Sequence, residues 1–308
     1  MSLPHIFKLR HSRMQKPSDS QWTILDLIQW TTAYFNSRQI DSPRLTSELL
    51  LAHVLGVDRI DLYVRFDQPL STDELAGFKQ LIKRRLNREP VAYILGRKEF
   101  WDMTVAVDQN VLIPRPETEF LVEAALDLIT ENPDTHRMGI LELGTGSGAI
   151  ILSLAAGRPG HMFYASDRDG GALAVARRNA LANQLETQVR FFAANWFAPI
   201  HPAAAFDLIV SNPPYIPVAD ISGLAPEVCQ YEPAIALDGG ADGLAAIRHI
   251  IEAAPPHLHP GGRLLLEIGN DHSEMVQELA ERAPGVQLDR VFKDYGGYDR
   301  VVMLAKRS

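Results

Sequence analysis

The sequence predicts an α/β protein: a doubly wound, mostly parallel sheet with an antiparallel last strand, preceded by a small all-helical domain and a β-hairpin linker. Three observations carry this expectation. Short apolar runs alternate with amphipathic segments from residue 140 to residue 304, the order that helical crossovers between parallel strands require. Residues 23–86 instead keep a helical period with no strand between, and from Pro90 to Pro116 the apolar period drops to two.

With 308 residues and 46% hydrophobic content, the chain can bury two cores. No apolar run approaches the roughly 18 residues needed to cross a bilayer, and the first residues lack the charged-then-apolar order of a secretory signal, so no membrane partner and a cytoplasmic location are expected. The single cysteine, Cys229, excludes an internal disulfide and a multi-thiolate metal site. His257 and His259, in a Pro-flanked turn with no further ligands nearby, read as surface residues, and no metal is expected. A net charge of −8 gives no electrostatic footprint for a phosphate backbone, so direct nucleic-acid binding is not expected.

In chain order, residues 1–19 are polar, basic and aperiodic, which reads as a disordered leader. Residues 20–88 form the helical domain. Its first helix follows Thr23, which has capping-box spacing to Asp26, and carries Ile24, Leu27, Ile28, Tyr34 and Phe35 near one face. The second starts at Ser42-Pro43, keeps Leu45, Leu49, Ala52 and Leu55 in period, and stops at Gly56. The third starts at Ser71, again with capping-box spacing to Glu74, and buries Leu75, Phe78, Ile82 and Leu86 before Pro90 forbids continuation. Lys83, Arg84, Arg85 and Arg88 read as its solvated face. Residues 89–115 read as the hairpin linker, with Val91, Tyr93, Phe100, Met103, Val105 and Val107 in alternation. Arg115 suits either a ligand or the carboxylates flanking a helix that starts at Glu117, and pairing with those carboxylates is the expected role.

The domain at 116–308 holds the chemistry. A strand at 140–143 runs into Gly144-Thr145-Gly146-Ser147-Gly148 and then a helix, a cradle in which glycines let a ligand approach the backbone and the helix start offers unpaired N–H groups. No Gly-Lys-Ser/Thr follows, which excludes a triphosphate loop, and the third glycine comes too early for the dinucleotide fingerprint. About twenty residues on, a second strand (162–166) ends at Asp167, the place for a carboxylate that accepts from ribose hydroxyls. Further elements are expected at 172–183, 189–192, 206–211, 244–254, 263–268 and 273–281. A final hairpin, 286–292 with 299–304, should close one edge. The run at 206–211 stops at Asn212-Pro213-Pro214-Tyr215, where proline ends pairing and leaves Asn212 at the carboxyl edge of the sheet, the ligand-binding edge of open parallel sheets. The Asn212 side-chain oxygen and the Pro213 carbonyl are acceptors suited to a substrate –NH2 group, and Tyr215 offers a flat face to a planar one.

Together these motifs resemble the bacterial peptide chain release factor glutamine methyltransferase family, also called HemK or PrmC. The resemblance spans residues 20–308 and includes Pro90-Val91-Ala92-Tyr93-Ile94-Leu95-Gly96, Leu112-Ile113-Pro114-Arg115-Pro116-Glu117-Thr118-Glu119, the glycine turn, Asn212-Pro213-Pro214-Tyr215, Tyr231-Glu232-Pro233 and Asp242-Gly243-Leu244. It implies a seven-stranded Rossmann-like methyltransferase domain that uses S-adenosylmethionine and releases S-adenosylhomocysteine. It implies cofactor binding by Gly144, Thr145, Gly146, Ser147, Gly148, Asp167, Trp196 and Asn212. Substrate binding would fall to Asn212, Pro213, Pro214 and Tyr215, of which Asn212, Pro213 and Tyr215 are catalytic. The implied partner is a class 1 peptide chain release factor, methylated on the glutamine of its Gly-Gly-Gln loop, with residues 20–88 recognising it. Asn195 stands where the family pattern leads one to expect Asp before Trp196. Two other acceptors suit the same motif: a ribosomal protein's glutamine, and the amino group of a nucleobase, which would need a basic groove. A non-catalytic binding module would need neither motif.

Overall fold

The structure, a computed structural model, describes residues 21–307, so the expected leader at 1–19 lies outside the described residues. The chain forms two compact units that divide between Leu95 and Gly96.

The first unit is helical. Helix α1 (Ile24–Ser37) opens with the expected box: Thr23 Oγ1 accepts from the Asp26 N–H and Asp26 Oδ2 accepts from the Thr23 N–H, both at 3.2 Å. Helix α2 (Pro43–Leu55) runs from Ser42 to Gly56, whose left-handed backbone ends it. Its buried stripe is Leu50, Leu51 and Ala52, while Leu45 is 41% exposed, a correction to the expected face. On the same helix Glu48 is buried, accepting from Arg44 at 2.9 Å and from the Tyr63 hydroxyl at 2.5 Å. A short α3 (Asp61–Val64) precedes α4 (Thr72–Leu86), where Ser71 and Glu74 form the second capping box.

Three expectations here need correcting. Val91 and Tyr93 are not in a strand: residues Val91–Leu95 form α5, whose first turn is closed by the Ile94 N–H to the Pro90 carbonyl at 3.0 Å. A five-residue apolar segment cannot display a 3.6 period, so alternation was an accident of length. The boundary expected at 88/89 therefore falls at 95/96. Nor is the basic face simply solvated. Arg85 is buried, Arg84 forms a two-pronged pair with Glu89 at 2.5 and 2.8 Å, and Arg88 caps the Arg38 and Gln39 carbonyls after α1.

The second unit begins with the hairpin β1 (Arg97–Phe100) and β2 (Met103–Ala106), paired antiparallel. It is an integral part of this unit. Asn179, buried on α8 (Gly170–Ala182), accepts from the Ala106 N–H at 2.7 Å and donates to the Ala106 carbonyl at 3.0 Å and the Ser147 carbonyl at 2.8 Å, joining hairpin to glycine turn. A 3-10 turn, Pro116–Thr118, leads into α6 (Glu119–Leu128), two residues later than expected because Pro116 and Glu117 sit in the tighter turn.

The sheet comprises β3 (Gly139–Leu143), β4 (Met162–Asp167), β5 (Val189–Ala193), β6 (Phe206–Ser211), β7 (Leu258–Glu267), β8 (Val286–Lys293) and β9 (Asp299–Lys306), in the order β5-β4-β3-β6-β7-β9-β8. The first five run parallel and β9 inserts antiparallel between β7 and β8. Crossovers α7 (Ala149–Gly157), α8, α10 (Ala245–Ala253) and α11 (Ser273–Arg282) cover it, with a one-turn α9 (Pro226–Cys229) in the loop after β6. Strand β7 starts five residues earlier than expected, pairing Leu258 with Phe206 across a register shift that accommodates Pro260-Gly261-Gly262. His257, expected at the surface, is buried: its ring stacks on Phe197 at 4.8 Å and its Nδ1 meets the Ala204 carbonyl at 3.0 Å.

The chain winds outward from β3 to β5, then returns to the other side of β3 with β6. The switch point therefore lies between the carboxyl ends of β3 and β6.

Candidate active site

Both motifs meet at that switch point. Leu143 pairs with Ser211 as the last register pair of β3 and β6, so the glycine turn leaves one strand beside the point where Asn212 leaves the other. The Ser211 hydroxyl donates to the Leu143 carbonyl at 2.8 Å and ties the two ends together. A cavity of about 400 Å³ opens there, within the range of small-molecule sites.

Two carboxylates hold the glycine turn. Asp167 Oδ2 accepts from the Gly146 N–H at 2.9 Å and Oδ1 from the Asp169 N–H at 3.0 Å. Below the turn, Glu142 Oε2 accepts from the Thr145 hydroxyl at 2.5 Å and the Ile151 N–H at 3.3 Å. Gly144 has φ +71°, which an L side chain resists, and Trp196 comes against it, with Cζ3 3.6 Å from where a Cβ would stand. Gly148 has φ +83°, and its missing Cβ would lie 3.2 Å from both Ala176 and Leu152, so its smallness lets α7 start hard against α8. This is the packing role of the third glycine in a dinucleotide turn, reached here at a shorter spacing. Trp196 itself sits at φ +53°, an uncommon backbone for a large residue, in the turn after β5.

The expected residues are largely brought together. Gly144, Thr145, Gly146, Ser147, Asp167, Trp196, Asn212 and Pro214 line the cavity, and Asn195 lines it beside Trp196. Gly148 lies behind the wall in the α7–α8 packing. Pro213 and Tyr215 adjoin the wall without forming it. The Tyr215 ring meets His272 edge-on at 6.3 Å, and burial pushes its hydroxyl up to about 12, so it stays neutral. Arg115 also lines the cavity and is held by a buried acid: Glu232 Oε1 accepts from its Nη2 at 2.5 Å, and Oε2 accepts from the Ile113 N–H at 3.0 Å. The expected carboxylate partner thus comes from a distant loop, not from the helix start.

Three polar residues of the site escaped the sequence reading. Thr118 Oγ1, buried and on the cavity wall, accepts from Asn212 Nδ2 at 3.2 Å. Glu142 and Glu267 are each 1% exposed; burial pushes Glu142 up to about 8 and Glu267 to about 7, against hydrogen bonding from Thr145 and Ile151 in the first case and from Thr118 and Asn212 in the second. The available signal was an acid inside an apolar strand run, Ile140-Leu141-Glu142-Leu143 and Leu264-Leu265-Leu266-Glu267-Ile268.

The residues present fit an adenosyl cofactor. The glycine turn leaves room for a ligand against the backbone, Asp167 keeps free lone pairs on both oxygens, and the half-buried indole of Trp196 offers a flat apolar face.

Residues 26–96 match the PrmC N-terminal domain family, and residues 118–223 the methyltransferase small domain family. The chain is 43% identical to the release factor glutamine methyltransferase of Geobacter sulfurreducens, over 91% of this chain and 96% of that protein. It is 40% identical to the protein of the same name from Caulobacter vibrioides, over 90% and 95% of the two chains. Among solved structures, the hMettl16 catalytic domain in complex with the MAT2A 3'UTR hairpin 6 superimposes with a TM-score of 0.53 at 16% identity, over 74% of this chain and 82% of that one, a likeness of fold.

Proposed function

Because the chain belongs to the release factor glutamine methyltransferase family, and is thereby an S-adenosylmethionine-dependent methyltransferase, we propose that it methylates the side-chain nitrogen of the glutamine in the Gly-Gly-Gln loop of class 1 release factors. The observation that supports this reading most directly is the orientation of Asn212. Its Nδ2 donates into the protein, to Thr118 Oγ1, at the edge of the cavity, so its Oδ1 is the atom left for a ligand.

The bound cofactor supplies an electrophilic methyl group on a sulfonium. The chain's own residues answer the weakness of the nucleophile, an amide nitrogen whose lone pair is shared with its carbonyl. Asn212 Oδ1 and the Pro213 carbonyl each accept one hydrogen of the substrate –NH2, fixing the nitrogen's out-of-plane lone pair and stabilising the positive charge that develops on it. Asp167 would accept from the ribose, the turn at 144–147 would hold the methionine end, and Trp196 and Asn195 would hold the adenine. Asn195 differs from a carboxylate in offering a donor as well as an acceptor to that ring. Water takes the proton after transfer.

The first unit recognises the protein partner. In support, the cavity is lined from residue 110 onward, while the first unit carries Ile60, Tyr63, Val64 and Phe66 exposed within one seven-residue stretch. The experiment is incubation of the enzyme with labelled S-adenosylmethionine and a purified release factor, followed by peptide mass analysis. One methyl on the Gly-Gly-Gln glutamine is expected; label on a ribosomal protein or on nucleic acid instead overturns the substrate assignment. Asn212→Ala should abolish transfer while S-adenosylhomocysteine still binds.

A further inference from the structure

Glu267 ends β7 as Asn212 follows β6, and the last register pair of those strands is Ser211 with Leu266, so the acid and the amide are the next residues outward on neighbouring strands. Thr118, from the turn before α6, lines the cavity beside Asn212 and accepts from its Nδ2 at 3.2 Å. Glu267 is buried, its Oε2 has no hydrogen-bond partner among the described residues, and it does not line the cavity. Its chemistry is therefore exerted through its neighbours. A carboxylate is acceptor-only, so the Thr118 hydroxyl and the Asn212 amide can meet it only as donors, and Thr118 Oγ1 then keeps lone pairs for Asn212 Nδ2, as the 3.2 Å contact shows.

We propose that Glu267 is a positioning residue: its carboxylate, acting directly and through Thr118, commits both amide hydrogens of Asn212 to the protein and so turns Asn212 Oδ1 toward the substrate –NH2. The inference rests on the reading of Asn212 as the acceptor for that group. Asn212 could otherwise rotate by half a turn, presenting Nδ2 to the substrate amide, donor against donor; nothing in an isolated amide forbids it. Protonation of Glu267 removes the constraint, because a carboxylic acid can donate to Thr118, whose hydroxyl then donates to Asn212 Oδ1. The charged and titratable groups facing Glu267 are Arg300 on β9, which favours the carboxylate, Glu117 ahead of α6, which opposes it, and the Tyr215 phenol, whose ring meets His272 edge-on. Burial raises the Glu267 carboxyl into the neutral range, so the constraint is present above neutrality and released below it.

The test measures kcat at saturating S-adenosylmethionine and release factor from pH 6 to pH 8.5, together with the Kd for S-adenosylhomocysteine. Wild type should gain activity as pH rises through about 7, the value to which Glu267 is raised. Glu267→Gln should lower kcat at pH 8 at least tenfold, flatten that rise and leave the Kd within threefold. Thr118→Val, which keeps shape and deletes the hydroxyl, should show the same loss, and Thr118→Ser should recover most of it; a role in packing alone predicts the opposite order. If Glu267→Gln does not fold, the Thr118 pair and the wild-type profile decide. Wild-type kcat and pH profile in Glu267→Gln, beside an inactive Asn212→Ala, overturn the inference alone. Near-normal turnover by Asn212→Ala overturns the reading of Asn212 and this inference with it.

Discussion

Replacing Asp167 by Asn tests the cofactor cradle with the smallest change of shape. The carboxylate has about four lone-pair sites; the Gly146 and Asp169 N–H groups use one on each oxygen, and the Arg168 N–H also bonds to it. The capacity that remains serves the ribose diol. An Asn has one oxygen, so either a ribose hydroxyl loses its acceptor outright or the amide NH2 turns against a backbone N–H of the glycine turn. Losing one hydrogen bond to a charged acceptor costs about 1.5–3 kcal/mol, so the Kd for S-adenosylhomocysteine should rise roughly 10- to 150-fold. The unliganded protein should lose less, because burial raises the Asp167 carboxyl and a neutral amide is spared that desolvation. Calorimetry gives the affinity and thermal unfolding without ligand gives the stability. The sign of the pH dependence follows from the same observation. Ribose binding favours the ionised carboxylate, so wild-type affinity should fall as pH falls through a pKa above the usual Asp range, while the Asn variant stays flat. A Kd within threefold of wild type would refute the ribose assignment. An affinity loss matched by an equal loss of unliganded stability would show instead that Asp167 only builds the turn.

Other expectations are briefer. Glu142 has its pKa raised from 4.5 to about 8 by burial, so its ionisation burdens the folded state progressively from pH 4.5 upward and fully above 8. Glu142→Gln should therefore gain stability over wild type between pH 5 and pH 8, by on the order of 3 kcal/mol, in denaturant titrations at the two values; an equal difference at both would contradict it. Glu232→Ala leaves the Ile113 N–H and a half-buried Arg115 without their acceptor, and unfolding should register a loss of about 3–5 kcal/mol. Val64→Asp, on the exposed apolar stretch of the first unit, should raise KM for the release factor while the Kd for S-adenosylhomocysteine stays put.

What the sequence disclosed and what it hid divide along physical range. Capping boxes are interactions over three residues, and Thr23 with Asp26 and Ser71 with Glu74 formed as the spacing required. The glycine turn and the proline stop after β6 are backbone constraints carried by the residues themselves, so both were legible, and the parallel winding that follows from alternation brought them to one edge. Where several elements must agree, spacing was silent. Val91 and Tyr93 alternate like a strand over too few residues to reveal a helix. The burial of His257 depends on Phe197, sixty residues away, arriving parallel to its ring.

The two buried glutamates show why this boundary matters for function. An acid within an apolar strand reads locally as an interruption, since ionising it in a dry sheet costs stability unless donors surround it. Glu142 and Glu267 tolerate their positions because each lies at or near the carboxyl end of its strand, where side chains of the turns gathered at that edge supply donors: Thr145 to one, Thr118 and Asn212 to the other. The donors are the same residues that line the cavity. Glu142 lines the cavity and Glu267 does not, yet both accept from hydroxyl or amide groups of its wall and so bias which way those groups point. In a parallel sheet the cost of burying the acid and the orientation of the site are thus one arrangement seen from two sides, and an acid in the last two positions of a buried strand is a signal to examine its neighbours for the group it orients.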